Sequence, residues 1–331
     1  MDHSMPKRHK PLDKPQIAEQ TLGHNDANNL GEEEDEEDRI SDLPDSILCQ
    51  ILQKLPTKFA IGTAILSSRW KPLFYQIPNL SLVINDTLLF HPNSDPLTLN
   101  ATFISFMYHL LSVTLRDVPK IRHFCLDSHQ DYGNVHIDSW VSIVLKLKVQ
   151  ELALFFEKTN CGVSIRGIFS CTTLVHLLLS QHHVLNAIQY SCRPMPTFHK
   201  LTKLKLGTMN PSGWQLLPHL LERSPNIQIL VFMEGFLDHK GCYEIFERCM
   251  SAFVPVCLSL HLQKIKIEGF NGKKDELKLI EYFLKTARVL KTVKIRWACL
   301  YWEEKQVGIW KEVLMLPRCS KICQIELAEL R

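Results

Sequence analysis

The 331-residue chain is 45% apolar and 22% charged, and its 38 basic and 35 acidic residues leave a net charge of +3. These are ordinary values for a soluble protein, and the length allows about two domains with a sizeable core. No apolar run approaches the roughly 20 residues that span a bilayer, and the first residues are polar rather than signal-like, so no membrane partner is expected.

Eleven cysteines, an odd number without paired spacing, read as thiols kept in a reducing compartment: cytoplasm, nucleus or both. Asn85-Asp86-Thr87 and Asn100-Ala101-Thr102 match the glycosylation sequon and, without a secretory signal, are chance matches.

Charge is unevenly placed. Residues 1–38 hold four basic and eleven acidic residues, a net −7, and the remainder holds 34 basic and 24 acidic, a net +10. Glu32 to Asp38 is an unbroken acidic run, and the Gly, Asn, Pro and His before it show no periodicity. Residues 1–37 are therefore expected to be a disordered charged tail. Lys7-Arg8-His9-Lys10 has the composition of a nuclear import patch, although solvation is the better account of both charge blocks.

The next stretch, 38–80, predicts three short helices punctuated by Pro44, Pro56 and Pro72. Ile40, Leu43, Ile47, Leu48, Ile51, Leu52 and Leu55 recur at three- and four-residue steps, so one helical face is continuously apolar. Pro44 suits a first turn, where a missing N–H costs nothing, and Asp42 and Asp45 suit a positive helix start. Pro56 stops this helix, and Thr57 is expected to cap a second through Ala60, Ile61, Ala64, Ile65 and Leu66. Ser67 or Ser68 should cap a third carrying Arg69, Trp70, Leu73 and Phe74. So few residues cannot bury this much apolar surface alone. Fully burying one Leu or Ile contributes roughly 1.5–3 kcal/mol. A handful left to a partner suffices for a stable interface, even after association costs. Periodicity alone also allows the helices to pack on the rest of the chain.

Beyond them the chain repeats itself. The pattern apolar-x-x-apolar-x-apolar begins at Ile121, Val149, Leu174, Leu201, Ile227, Leu262 and Leu290, with steps of 28, 25, 27, 26, 35 and 28 residues. One strand per unit with a variable return is a leucine-rich-repeat signature, in which neighbouring units stack into a solenoid with a parallel sheet on one side. Asp138 to Leu147 and Trp214 to Arg223 read as helical returns, and the long step before Leu262 accommodates an inserted helix around Tyr243 to Phe253. Between the core positions, outward side chains are Glu151 and Ala153, His176 and Leu178, Lys203 and Lys205, and Ile229 and Val231. Lys264 and Lys266, then Thr292, Lys294 and Arg296, complete the series. The later half is rich in lysine, which favours an acidic or phosphorylated ligand or simply keeps a strand face soluble.

Enzymatic motifs are missing: there is no Gly-rich phosphate loop, no G-x-S-x-G elbow and no H-E-x-x-H. His182-His183 with Cys171 and Cys192 fits no zinc spacing, and Cys319 and Cys323 lack the two-residue gap of redox or zinc pairs. No catalytic residue, metal or cofactor is therefore assigned. No helix-turn-helix, zinc finger or RNP-like strand is visible, so nucleic acid is not the expected partner despite the basic body.

Leu43-Pro44 with its leucine-rich helix, Leu55-Pro56-Thr57-Lys58, and Leu66-Ser67-Ser68-Arg69-Trp70-Lys71-Pro72-Leu73 together resemble the F-box. Ser139-Trp140, Phe169-Ser170-Cys171-Thr172-Thr173-Leu174, Gly213-Trp214-Gln215-Leu216-Leu217-Pro218 and Ser224-Pro225-Asn226 are similar to the plant F-box proteins with irregular leucine-rich repeats. Val254-Pro255, Cys257-Leu258-Ser259, Gly269-Phe270-Asn271-Gly272, Glu281-Tyr282-Phe283-Leu284 and Pro317-Arg318-Cys319-Ser320 resemble the FBD domain that ends many of them. Phe59 and Val256 stand where relatives commonly carry an acidic residue, and Gly62 costs its helix about 1 kcal/mol relative to alanine.

The resemblance implies an α/β architecture: a three-helix F-box (38–82), an irregular leucine-rich-repeat solenoid (83–250) and an FBD region continuing it (251–331). It also implies a non-catalytic, substrate-recognition subunit of a Skp-cullin-F-box ubiquitin ligase. The alternative is an F-box and repeat scaffold that acts without ubiquitin transfer. The residues expected to meet the Skp-type adaptor, and through it the cullin and RING subunits, are Leu43, Pro44, Ile47, Leu48, Ile51, Leu52, Leu55, Pro56, Ile65, Leu66, Trp70 and Leu73. Those expected to meet an unidentified protein substrate are Lys203, Lys205, Ile229, Val231, Lys264, Lys266, Lys294 and Arg296.

Overall fold

A computed structural model describes residues 40, 42–89, 95–157, 167–168, 171–180, 197–207, 211–234, 242–250, 254–298 and 304–327. The expected tail at 1–37, its basic cluster, and His182, His183 and Cys192 lie outside the described residues. The chain divides into two units, Met1–Leu43 and Pro44–Arg331. In the first, the Leu43 N–H donates to the Ile40 carbonyl at 3.2 Å, and Ile40 is exposed.

The second unit opens with α1 (Asp45–Lys54), α2 (Thr57–Gly62), a 3₁₀ turn (Thr63–Ile65) and α3 (Trp70–Gln76). The two prolines start their helices in the same way. Pro44 and Pro56 are N-caps with extended ψ of 146° and 142°, and their carbonyls accept from Leu48 N at 3.1 Å and Ala60 N at 3.0 Å. Proline's fixed φ suits a helix entrance, and its missing N–H removes one donor that would otherwise lack a partner.

Two expected caps are corrected here. Thr57 is the first residue of α2, and its hydroxyl accepts from Val83 N at 2.8 Å instead of capping. Neither Ser67 nor Ser68 caps α3: Arg69 is the N-cap residue, and Trp70 N donates to the Ser67 backbone carbonyl at 3.2 Å. An ion pair links the starts of α3 and α1: the Arg69 guanidinium donates to Asp45 Oδ1 from Nε at 2.9 Å and from Nη2 at 2.7 Å. Leu48, Cys49, Leu52, Ala60, Trp70, Leu73 and Phe74 are buried among these helices.

Among the described residues, nine strands follow in one sheet: β1 (Ser81–Asn85), β2 (His123–Ser128), β3 (Glu151–Phe156), β4 (His176–Ser180), β5 (Lys203–Leu206), β6 (Ile229–Phe232), β7 (Lys264–Phe270), β8 (Thr292–Trp297) and β9 (Gln324–Leu327). All pair in parallel, each with its sequence neighbour, in the order β1 to β9. This is the stacked-repeat α/β solenoid that the seven-fold pattern predicts. The core positions explain the register. Leu82 and Ile84 of β1 pair with Phe124 and Leu126, and the equivalent pairs through Val293 and Ile295 of β8 are at most 3% exposed. A one-residue slip would turn every one of them outward. On β9 the corresponding Ile325 and Leu327 are only half-buried.

The returns are α4 (Pro96–His109) with a π turn (Leu110–Thr114), α5 (Asn134–Lys146), α6 (Pro211–Arg223), α7 (Cys242–Cys249), α8 (Val256–Leu260), α9 (Lys274–Thr286) and α10 (Glu304–Met315). The expected helices at 138–147 and 214–223 are present as α5 and α6, and the helix expected around Tyr243 is α7, followed by α8.

Polar side chains tie one repeat to the next. Thr173 Oγ1 donates to the Val149 carbonyl at 2.7 Å, Asn226 Nδ2 to the His199 carbonyl at 2.7 Å, and Ser320 Oγ to the Leu290 carbonyl at 2.6 Å. Each satisfies a backbone acceptor at the start of the preceding strand, where the sheet ladder has not yet begun.

Candidate docking surfaces

On α1, Ile47, Ile51 and Leu55 follow at four-residue steps, which stack side chains along one face. They keep 38%, 38% and 37% of their surface exposed, although the helix interior behind them is closed. Pro44 and Pro56 are exposed beside this stripe, and Phe59 (60%) and Leu66 (64%) add apolar surface on the following turns. Lys58 Nζ lies 6.0 Å from the Phe59 ring centroid, a cation–π contact at the surface.

The twelve residues expected to meet an adaptor therefore divide. Pro44, Ile47, Ile51, Leu55, Pro56 and Leu66 present surface. Leu48, Leu52, Trp70 and Leu73 do not: they are 0–6% exposed and fill the interior, because the stripe at 48 and 52 is the opposite edge of the same amphipathic helix. Leu43 belongs to the first unit and is half-buried, and the Ile65 side chain lies outside the described residues.

The sheet presents a second surface. Two rows of outward side chains cross it at right angles to the strands. One runs Ser81, His123, Glu151, His176, Lys203, Ile229, Lys264, Thr292 and Gln324. The other runs Val83, Cys125, Ala153, Leu178, Lys205, Val231, Lys266, Lys294 and Glu326. The early half is mixed and internally paired: Glu151 accepts from Arg122 Nε at 3.4 Å and lies 3.6 Å from His176 Nδ1. Burial pulls His123 below its ordinary pKa, with Glu151 opposing and Arg122 adding to the shift.

The later half is cationic. Among the described residues, Lys203, Lys205, Lys264, Lys266 and Lys294 form no ion pair with a carboxylate. Burial, then the neighbouring Lys203 and Lys266, pull the Lys205 ammonium below its ordinary pKa. Two of the expected substrate residues are corrected. Arg296 is held by Glu268, Nη1 to Oε2 at 2.8 Å, so its charge is already answered. Val231 is 6% exposed, leaving Ile229 as the apolar position that keeps surface.

The two halves meet at a shallow depression of about 110 Å³ lined by His123, Glu151, Ala153, His176, Leu178, Lys203 and Lys205. Sequence patterning finds its members on the repeats but not His123, which sits in the first full repeat at the position equivalent to Glu151. Among the described residues no three His, Cys, Asp or Glu side chains are grouped to hold a metal ion. No described helix is long and apolar enough to cross a membrane.

Residues 40–82 match the F-box domain, residues 137–270 match the family described as FBD-associated F-box protein At5g56370, LRR repeats, and residues 251–295 match the FBD. The F-box match covers α1 to α3, the repeat match covers α5 to β7, and the FBD match covers α8 to β8.

Among Arabidopsis thaliana proteins, F-box/LRR-repeat protein At2g42730 is 31% identical over 216 residues, covering 60% of this chain and 45% of the relative. FBD-associated F-box protein At1g66310 is 38% identical over 152 residues, covering 44% and 31%. F-box/FBD/LRR-repeat protein At5g22660 is 23% identical over 447 aligned residues, covering 89% and 97%. The chain thus spans less than half the length of the first two relatives and nearly all of the third. By domain content and order, the chain is similar to the F-box/FBD/LRR-repeat proteins.

Proposed function

We propose that this chain is the non-catalytic target-recognition subunit of a Skp-cullin-F-box ubiquitin ligase. The helices at its start dock to a Skp-type adaptor, which links them to the cullin and RING subunits. The repeats and the FBD region hold a protein target within reach of the charged ubiquitin-conjugating enzyme. The contribution to transfer is proximity and choice of target, since a bimolecular step becomes effectively intramolecular once both reactants sit on one scaffold. Such a subunit works in the cytoplasm, the nucleus or both.

The observation that supports this reading most strongly is the stripe of Ile47, Ile51 and Leu55, exposed on a helix whose other face is fully packed. A helix that has closed its own core has no internal use for a second apolar edge, and contiguous apolar surface rimmed by polar residues marks an interaction site. Six or so partly exposed apolar side chains at roughly 25 cal/mol per Å² supply enough burial to offset association costs. The test is co-expression with a Skp-type adaptor followed by size-exclusion chromatography. Co-elution as a one-to-one complex supports the reading, and a monomeric chain that remains soluble beside free adaptor contradicts it.

A further inference from the structure

The unpaired lysines of β5, β7 and β8 are not scattered. Parallel register places Lys203 and Lys264 in one row on either side of Ile229, and Lys205 and Lys266 in the next on either side of Val231, with Lys294 directly beside Lys266. Five ammonium groups therefore lie on three of four neighbouring strands. On the same sheet, the guanidinium groups of Arg122 and Arg296 each have a carboxylate within 3.4 Å. A merely solvated strand face has no reason to gather like charges in two adjacent rows, where Lys203 and Lys266 add to the burial that already disfavours the Lys205 ammonium. Glu326 neighbours Lys294 in the same row without forming an ion pair with it, and charge of one sign concentrated in this way is complementary to a ligand of the other.

Resting on the reading that the solenoid recognises a protein target, we propose that this face binds an extended acidic segment of that target. Its carboxylates sit on Lys205, Lys266 and Lys294 in one row or on Lys203 and Lys264 in the other. Strand spacing sets the pattern of the segment. Strands lie about 4.8 Å apart, so lysines two strands apart in one row are about 9.6 Å apart, and a segment extended as polyproline II advances about 9.3 Å per three-residue turn and brings its side chains back to the same face. Acidic side chains at positions i and i+3, with small residues between them to pass over Ile229 and Val231, match the Lys203–Lys264 and Lys205–Lys266 pairs, and Lys294, one strand beyond Lys266, adds a second ammonium beside the same carboxylate. Lysine meets each carboxylate as a point charge, so the contact is sensitive to salt.

The experiment is fluorescence anisotropy on the full chain at low ionic strength. The probe is a labelled 13-residue peptide carrying glutamate at every third position in a Gly/Ser background. Expected is saturable binding that weakens at least tenfold when Lys205, Lys266 and Lys294 are changed together to Glu. Binding should be unchanged when Lys120, Lys146 and Lys321, exposed lysines off the sheet, are reversed instead. The same peptide with glutamine should not bind. A neutral Lys205→Gln, Lys266→Gln, Lys294→Gln variant with an unaltered melting curve guards against a folding defect and should lose affinity in the same direction.

Equal weakening by the off-sheet variant, no binding of the glutamate peptide, or a clear preference for a phosphoserine peptide or a nucleic-acid duplex would overturn the proposal. Adaptor co-elution is scored on the same preparations. Intact adaptor capture without peptide binding overturns this inference alone, and peptide binding without adaptor capture overturns only the ligase reading.

Discussion

Ile51 and Leu52 are consecutive on α1, yet Ile51 keeps 38% of its surface exposed and Leu52 keeps 1%. A helix turns 100° per residue, so adjacent apolar positions can serve opposite purposes: Leu52 closes the helical core and Ile51 borders the stripe shared with Ile47 and Leu55. The pair separates folding from docking. Leu52→Asp buries an unpaired carboxylate and should cost more than about 4 kcal/mol, unfolding the three helices. Ile51→Asp should change stability by about 0.5–1 kcal/mol at most. Urea denaturation followed by circular dichroism distinguishes them, and comparable losses in both variants would contradict the assignment.

Asp86 anchors the turn after β1. It is 1% exposed, and its Oδ2 accepts from His129 N at 2.8 Å, Gln130 N at 3.0 Å and the Tyr132 hydroxyl at 3.1 Å, while Oδ1 lies 3.0 Å from His129 Nδ1. Tyr132 stacks on Phe103 with ring centroids 4.6 Å apart, so the carboxylate also fixes the aromatic cluster around Trp140. Each buried donor left without an acceptor costs about 1–3 kcal/mol. Asp86→Ala should therefore destabilise the solenoid by about 3 kcal/mol or more, and Asp86→Asn, which keeps one acceptor oxygen, by less. A thermal melt that places both variants within a degree of the parent would show that the turn is held by something else.

Thiol chemistry follows burial. Burial pushes the Cys257 thiol up to about 12, with its Sγ–H donating to the Leu221 carbonyl at 3.3 Å. Burial and Asp127 push Cys125 up to about 11. Cys319 is exposed. The thiolate is the reactive species. Iodoacetamide at pH 8 should label Cys319 at least tenfold faster than Cys125 or Cys257, read residue by residue by peptide mass spectrometry. Labelling of Cys257 at the Cys319 rate would contradict the packing of α8 against α6.

The lysine face carries a stability signature of its own. Because the Lys205 ammonium is disfavoured in the folded chain, its folded pKa lies below that of the unfolded chain. The unfolded state binds the extra proton, so the penalty is full below the folded pKa and disappears as pH rises through the unfolded value near 10.5. Lys205→Met should raise the stability at pH 7, by less than about 1 kcal/mol because the group is partly screened by solvent. The advantage should shrink toward pH 10.5 and in high salt. A gain independent of both would point to packing rather than charge.

Much of this molecule is legible in its sequence for a physical reason. Repeats write the same inward triplet over and over, so Ile121-Phe124-Leu126 and its six successors identify the strands and their register at once. The two strands that escaped the pattern are the ends. At β1 the leading residue is Asn79 rather than an apolar one, with φ of 56°. At β9, Ile322 does head a matching triplet, but it is 64% exposed, with Cys323 buried in its place.

Periodicity was less discriminating on α1, where apolar residues on both edges of one face look alike until burial separates Leu48 and Leu52 from Ile47 and Ile51. Caps were misread for a related reason. Thr57 has the right residue type for an N-cap, but a long-range donor, Val83 N, claims its hydroxyl. The Glu268–Arg296 pair was equally invisible, because it depends on β7 and β8 lying side by side rather than on spacing within either strand.

The docking account is tested most directly by co-purifying the full chain with a Skp-type adaptor, as parent and as the Ile47→Asp, Ile51→Asp double variant. The account predicts a stoichiometric complex for the parent. For the variant it predicts at least a hundredfold weaker adaptor binding, with an unchanged far-ultraviolet spectrum and a stability lowered by no more than about 2 kcal/mol. A variant that retains the adaptor at parental affinity while folding normally would contradict it.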